Sequence, residues 1–125
     1  MRTPRFIVCL LLSLFLAGAS GAQPPADVRN PSSVTFEPSA DHANITNYEL
    51  DILRPDGTVL QTLNVGKPTP VTNIITAPIN VQPVAFGTGY SVRVRAIAGT
   101  APSDYANSLN KFDRVPGGPS KVTVK

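Results

Sequence analysis

The sequence predicts an all-β fold, a two-layer sandwich of seven short strands, and three observations carry that prediction. Of 125 residues, 13 are Pro and 9 are Gly, a content that favours turns and short extended segments over long helices. Apolar and polar residues alternate with period two in several runs, the mark of strands with one buried face. Clusters of turn residues separate these runs at short intervals, as in antiparallel sandwiches. The length suits one domain of ordinary size and is too small for two.

Residues 1 to 22 read as an address. Arg2 and Arg5 precede the apolar run Phe6 to Ala17, and Gly18, Ala19, Ser20, Gly21 and Ala22 follow it. A basic start, a short apolar centre and a small-residue end form the pattern of a secretory signal peptide, cleaved after Ala22. The run falls well short of the roughly 20 apolar residues of a bilayer-spanning helix, so no membrane anchor is expected after cleavage. Cys9, the single cysteine, lies inside the run and leaves with it. A disulfide framework is thereby excluded from the exported chain. Removing Arg2 and Arg5 also reduces 11 basic residues to 9, against 8 acidic ones. So even a balance gives no support to nucleic-acid binding, which calls for clustered Lys and Arg.

The folded domain is expected over residues 23 to 113. In Ser33 to Glu37, Val34 and Phe36 share one side, and Pro38 ends the run because it cannot donate to a ladder. Ile45 to Leu53 puts Tyr48, Leu50 and Ile52 on one face and Glu49 and Asp51 on the other, toward solvent. Arg54-Pro55-Asp56-Gly57 is a turn, so Thr58 to Val65 returns as an antiparallel partner. Gly66 to Pro70 interrupts, and the β-branched stretch Val71 to Ile79 reads as the next strand. Tyr90 to Ala96 alternates cleanly, with Tyr90, Val92, Val94 and Ala96 inward and Ser91, Arg93 and Arg95 outward. A polar loop, Gly99 to Asn107, precedes Ser108 to Phe112, and residues 114 to 125 form a Pro/Gly linker with a short C-terminal β run.

At the level of motif, Val84-Ala85-Phe86-Gly87-Thr88-Gly89-Tyr90 is similar to the Leu-x-Pro-x-Thr-x-Tyr pattern of fibronectin type III domains. Tyr90-Ser91-Val92-Arg93-Val94-Arg95-Ala96 resembles that family's Tyr-x-Val-x-Val-x-Ala strand, and Tyr48 its tyrosine on the third strand. The likeness covers roughly residues 24 to 113, opening at Pro24-Pro25. Phe36 stands where the family carries a buried tryptophan, Val84 replaces its leucine and Phe86 its proline. The resemblance implies a seven-stranded immunoglobulin-like β-sandwich in which the Tyr90 hydroxyl bonds back to nearby backbone at a corner. It also implies that the Tyr48 strand lies antiparallel to the Tyr90 strand. Glu49 and Asp51 then share an outer face with Arg93 and Arg95, with Glu49 and Arg93 as the pair whose charges would be exchanged.

Little catalytic chemistry is available. His42 is the only histidine, and neither a nucleophilic triad nor a zinc site can be assembled around it in a chain without mature cysteines. Glu49 and Asp51 could serve as an acid–base pair, but cross-strand pairing with arginine is the simpler role. The expectation is a protein that is no enzyme and uses no cofactor or metal. Asn44-Ile45-Thr46 is an N-glycosylation acceptor in a eukaryotic host, at Asn44. Ser103, Asp104, Tyr105 and Asn107 make the loop Gly99 to Asn107 the candidate ligand-binding surface, an aromatic among adaptable polar groups. The function expected is a secreted or periplasmic module that binds an extracellular protein or glycan in adhesion. The alternatives are a structural spacer without a ligand and a small inhibitor or accessory subunit of a hydrolase.

Overall fold

The structure, a computed structural model, describes residues 25–125. The signal peptide read in residues 1 to 22 lies outside the described residues. The described chain is all-β, with two sheets and a single 3-10 turn at His42–Asn44. Its strands are β1 (Val28–Arg29), β2 (Ser33–Phe36), β3 (Asn47–Leu53), β4 (Val59–Gly66), β5 (Ile75–Pro78), β6 (Gly87–Ala98), β7 (Ala101–Pro102), β8 (Ala106–Asn107) and β9 (Phe112–Arg114). The larger sheet runs β1-β9-β6-β3-β4, with β7 and β8 also on β6; the smaller one is β2-β5. One core cluster draws on both sheets: Tyr48, Leu50 and Ile52 of β3, Val92 and Val94 of β6, Phe112 of β9 and Ile75 of β5. Val34 and Phe36 of β2 pack against it.

The strongest periodicities become the central strands. Tyr48, Leu50 and Ile52 are at most 2% exposed, as the alternation in β3 requires. The turn before β4 closes with Gly57 N–H on the Arg54 carbonyl and Arg54 N–H on the Thr58 carbonyl, both 2.8 Å. Gly57 sits at φ 86°, where a Cβ would be strained.

Three expected segments differ. Val71 to Ile79 was expected as one strand, yet β5 begins only at Ile75. Thr72 and Asn73 take φ of 51° and 60°, and the Val71 and Ile74 amides each bond the other's carbonyl, so residues 71 to 74 form a two-residue hairpin. Asn73 tolerates that left-handed backbone, which the surrounding β-branched residues concealed. The expected strand Ser108 to Phe112 is replaced by β8 before it and β9 at its end, with Leu109 79% exposed in the interruption. The C-terminal β run, Val122 to Val124, forms no strand in the described structure.

The corner bond is present. Tyr90, 7% exposed, donates from its hydroxyl to the Ala85 carbonyl at 2.8 Å, and its ring stacks on Phe112 with centroids 5.3 Å apart. Tyr90→Phe is expected to keep the packing and strand the Ala85 carbonyl, lowering unfolding free energy by about 1–2 kcal/mol in chemical denaturation.

Candidate functional site

Residues 101 to 114 run back along one edge of β6 as a strand broken twice. Ala98 faces Ala101 and Ile97 faces Pro102, Val94 faces Ala106 and Arg93 faces Asn107, and Tyr90 faces Phe112. A serine bridges each break. Ser103 N–H donates to the Ala96 carbonyl at 2.8 Å while its Oγ accepts the Ala96 N–H at 2.9 Å. Ser108 does the same to Val92, at 2.7 and 3.1 Å. A hydroxyl thus replaces the missing main-chain acceptor where the register slips, and no β6 donor is left dry at either place.

This fold-back lies on a charged strip. The outer face of the larger sheet carries a row Thr62, Asp51, Arg93 and Asn107, one residue from each of β4, β3, β6 and β8. Beside it run Asn64, Glu49 and Arg95. Arg93 Nε reaches Asp51 Oδ2 at 2.9 Å, and Arg95 Nη2 reaches Glu49 Oε1 at 2.7 Å. The register therefore gives Glu49 to Arg95, correcting the expected Glu49–Arg93 pairing. Tyr105 closes the strip from above, its ring centroid 3.8 Å from the Arg93 guanidinium and 4.8 Å from that of Arg95.

Asp51 was expected in solvent, and it is 2% exposed. Side chains standing on the same outer face bury it, not the core. Burial alone would push its carboxyl up, but hydrogen bonds from Thr62 and Arg93, the Arg93 charge and the Tyr105 hydroxyl outweigh it and hold the group below the usual carboxylate range. Thr62 Oγ1 donates to Asp51 Oδ1 at 2.7 Å.

The four residues of the candidate loop divide by role. Ser103 spends its hydroxyl on β6 and on the Asp104 carbonyl, so it shapes the surface. Asp104 and Asn107 are exposed and Tyr105 is half-buried. Asn44 closes the 3-10 turn and is exposed. His42 packs its ring 5.8 Å from that of Tyr48, with Nδ1 2.7 Å from the Tyr48 hydroxyl, which also accepts the Ser39 N–H.

Arg114 escaped the sequence reading altogether. It is 8% exposed, and its guanidinium donates to the Val81 and Val115 carbonyls, Asn30 Oδ1 and Gln82 Oε1 while standing over Phe86. No alternation marks it, because its partners come from three separate loops. It ties the end of β9 to the loops at residues 30 and 81–82.

Protein-family models, curated proteins and solved structures give no match to this chain.

Asp51→Ala leaves Arg93 without its counter-charge in a largely covered site, and a loss of about 3 kcal/mol is expected in denaturant titration. Glu49→Ala, at the more open pair, is expected to cost clearly less. Because the folded Asp51 pKa lies below its unfolded value of about 3.9, its contribution is complete above that pH and is lost as pH falls through the folded pKa. Unfolding free energy is therefore expected to drop below about pH 4 in the wild type. Asp51→Asn is expected to lose that component of the drop.

Proposed function

We propose that the chain is a secreted or periplasmic β-sandwich of the fibronectin type III kind that acts as a non-catalytic interaction module. The sandwich reading is supported by the shared core, to which side chains of β2 and β5 contribute together with those of β3, β6 and β9. The observation that carries the functional reading is the Tyr105 platform. An aromatic ring rests on two arginines, each fixed by its own carboxylate, and exposed Asp104 and Asn107 stand beside it on a braced segment.

Such a surface is organised before a partner arrives. Binding then costs little ordering of side chains, the usual penalty at an exposed loop. Tyrosine offers contact area with few rotatable bonds, and the carboxylate and amide offer directional polar contacts, a mixture suited to extracellular protein or glycan. The non-catalytic reading is supported by the occupation of the obvious acid–base groups. Both strip carboxylates are held by arginines, and the sole histidine is engaged by Tyr48.

The exported form, residues 23 to 125, immobilised beside a Tyr105→Ala/Asn107→Ala variant of matched melting behaviour, tests this reading. Secreted and surface extracts and a glycan panel are passed over both. A partner retained by the first and weakened at least ~10-fold by the second is expected, since loss of one aromatic anchor costs that much or more. A partner held equally by both moves the site elsewhere. No partner in either arm favours the spacer.

A further inference from the structure

We propose that the C-terminal segment Lys121 to Lys125 of one copy of the chain adds as a third strand to the free edge of β2 in a second copy, joining the domains head to tail. Among the described residues the smaller sheet has two strands, and β2 pairs with β5 alone. The Ile79 N–H donates to the Ser32 carbonyl at 3.0 Å, so residues 32 and 79 are a hydrogen-bonded pair of the antiparallel ladder. Alternation from that pair turns the main-chain groups of Val34 and Phe36 toward β5 and those of Ser33 and Thr35 away from it. Pro78 stands opposite Ser33, where no donor is needed, which agrees with this phase.

A groove of about 390 Å³ runs along this open edge. Three consecutive β2 residues, Ser33, Val34 and Thr35, line it, so it follows the strand's edge and not one of its faces. Ile79, Leu109 and Phe112 complete a mainly apolar wall. The groove therefore offers unpaired strand backbone and apolar contact side by side, the two requirements of strand addition.

The tail matches the strand it would join. Pro119-Ser120-Lys121-Val122-Thr123-Val124 repeats Pro31-Ser32-Ser33-Val34-Thr35-Phe36 at Pro, Ser, Val and Thr in the same order. Its alternation places Val122 and Val124 on one side, as Val34 and Phe36 are, and Lys121, Thr123 and Lys125 on the other. In the structure that apolar side has nothing to cover, with Val122 78% and Val124 94% exposed. The tail departs from beside the start of β2, since Val115 exchanges hydrogen bonds with Asn30 at 3.0 Å, and it does not fold onto its own groove. Following β2 from that point, the tail would run parallel to its own strand. A second copy can present it antiparallel, the better-bonded arrangement. Pairing would also draw Lys121 out of its left-handed φ of 57°.

A strand this short buries less than the ~1,200 Å² of a stable complex, so the association is weak and is sought by light scattering at about 0.1–1 mM. The full exported chain is expected to rise above single-chain mass with concentration. Val122→Asp/Val124→Asp removes the donor, and Thr35→Pro removes an edge N–H that β5 does not use. Each variant alone is expected to stay a single chain with an unchanged fold. Mixing the two is expected to restore association, limited to two chains, because the Thr35→Pro chain keeps an intact tail and the Val122→Asp/Val124→Asp chain an intact edge from Ser33 to Thr35. Single-chain mass of the wild type throughout overturns the proposal, as does association that survives either substitution. Protection of the Val122 to Val124 amides in dilute single chains also overturns it, by placing the tail on its own domain.

Discussion

The larger sheet's outer surface depends on one buried carboxylate. Asp51 sits at the middle of a row crossing four strands, accepts from Thr62 on one side and Arg93 on the other, and is almost fully covered. A charge so placed is tolerable only when paired and hydrogen-bonded, and both conditions are met. The fixed Arg93 then gives Tyr105 a flat cation to lie on, and Tyr105 anchors the middle of the fold-back. Order thus spreads outward from a side chain that contributes nothing to the apolar core.

The two serine bridges extend the same principle to the backbone. The segment from Ala101 to Arg114 could pair continuously with β6 only by giving up its two interruptions. Ser103 and Ser108 let it keep both while satisfying β6. The first interruption lifts Asp104 and Tyr105 out of strand register, which is what creates the exposed platform. The proposed recognition surface and its bracing therefore use neighbouring atoms of one short segment, and Ser103 belongs to the bracing.

The sequence made the central strands legible because their burial is one-sided. Tyr48, Leu50 and Ile52 alternate with charges, and so do Val92, Val94 and Ala96, so period two was enough to orient β3 and β6. The opposite-charge strip was legible for the same reason, although its register was not, since alternation fixes faces and leaves the offset between strands open. Asp51's burial was hidden because its cover arrives from Tyr105, 54 positions later by the numbering. Arg114 and the hairpin at Thr72-Asn73 were hidden because each depends on tertiary contacts or backbone sign, neither of which periodicity reports.

Native-state amide exchange at Ser103 and Ser108, compared between wild type and Asp51→Asn, tests most directly whether the buried carboxylate organises the fold-back. Both amides donate to β6 carbonyls, at Ala96 and Val92. Faster exchange at these two amides, with the β3–β4 ladder unchanged, is the predicted result. Unchanged exchange at Ser103 and Ser108, or an equal loss of protection across the whole domain, would contradict the account.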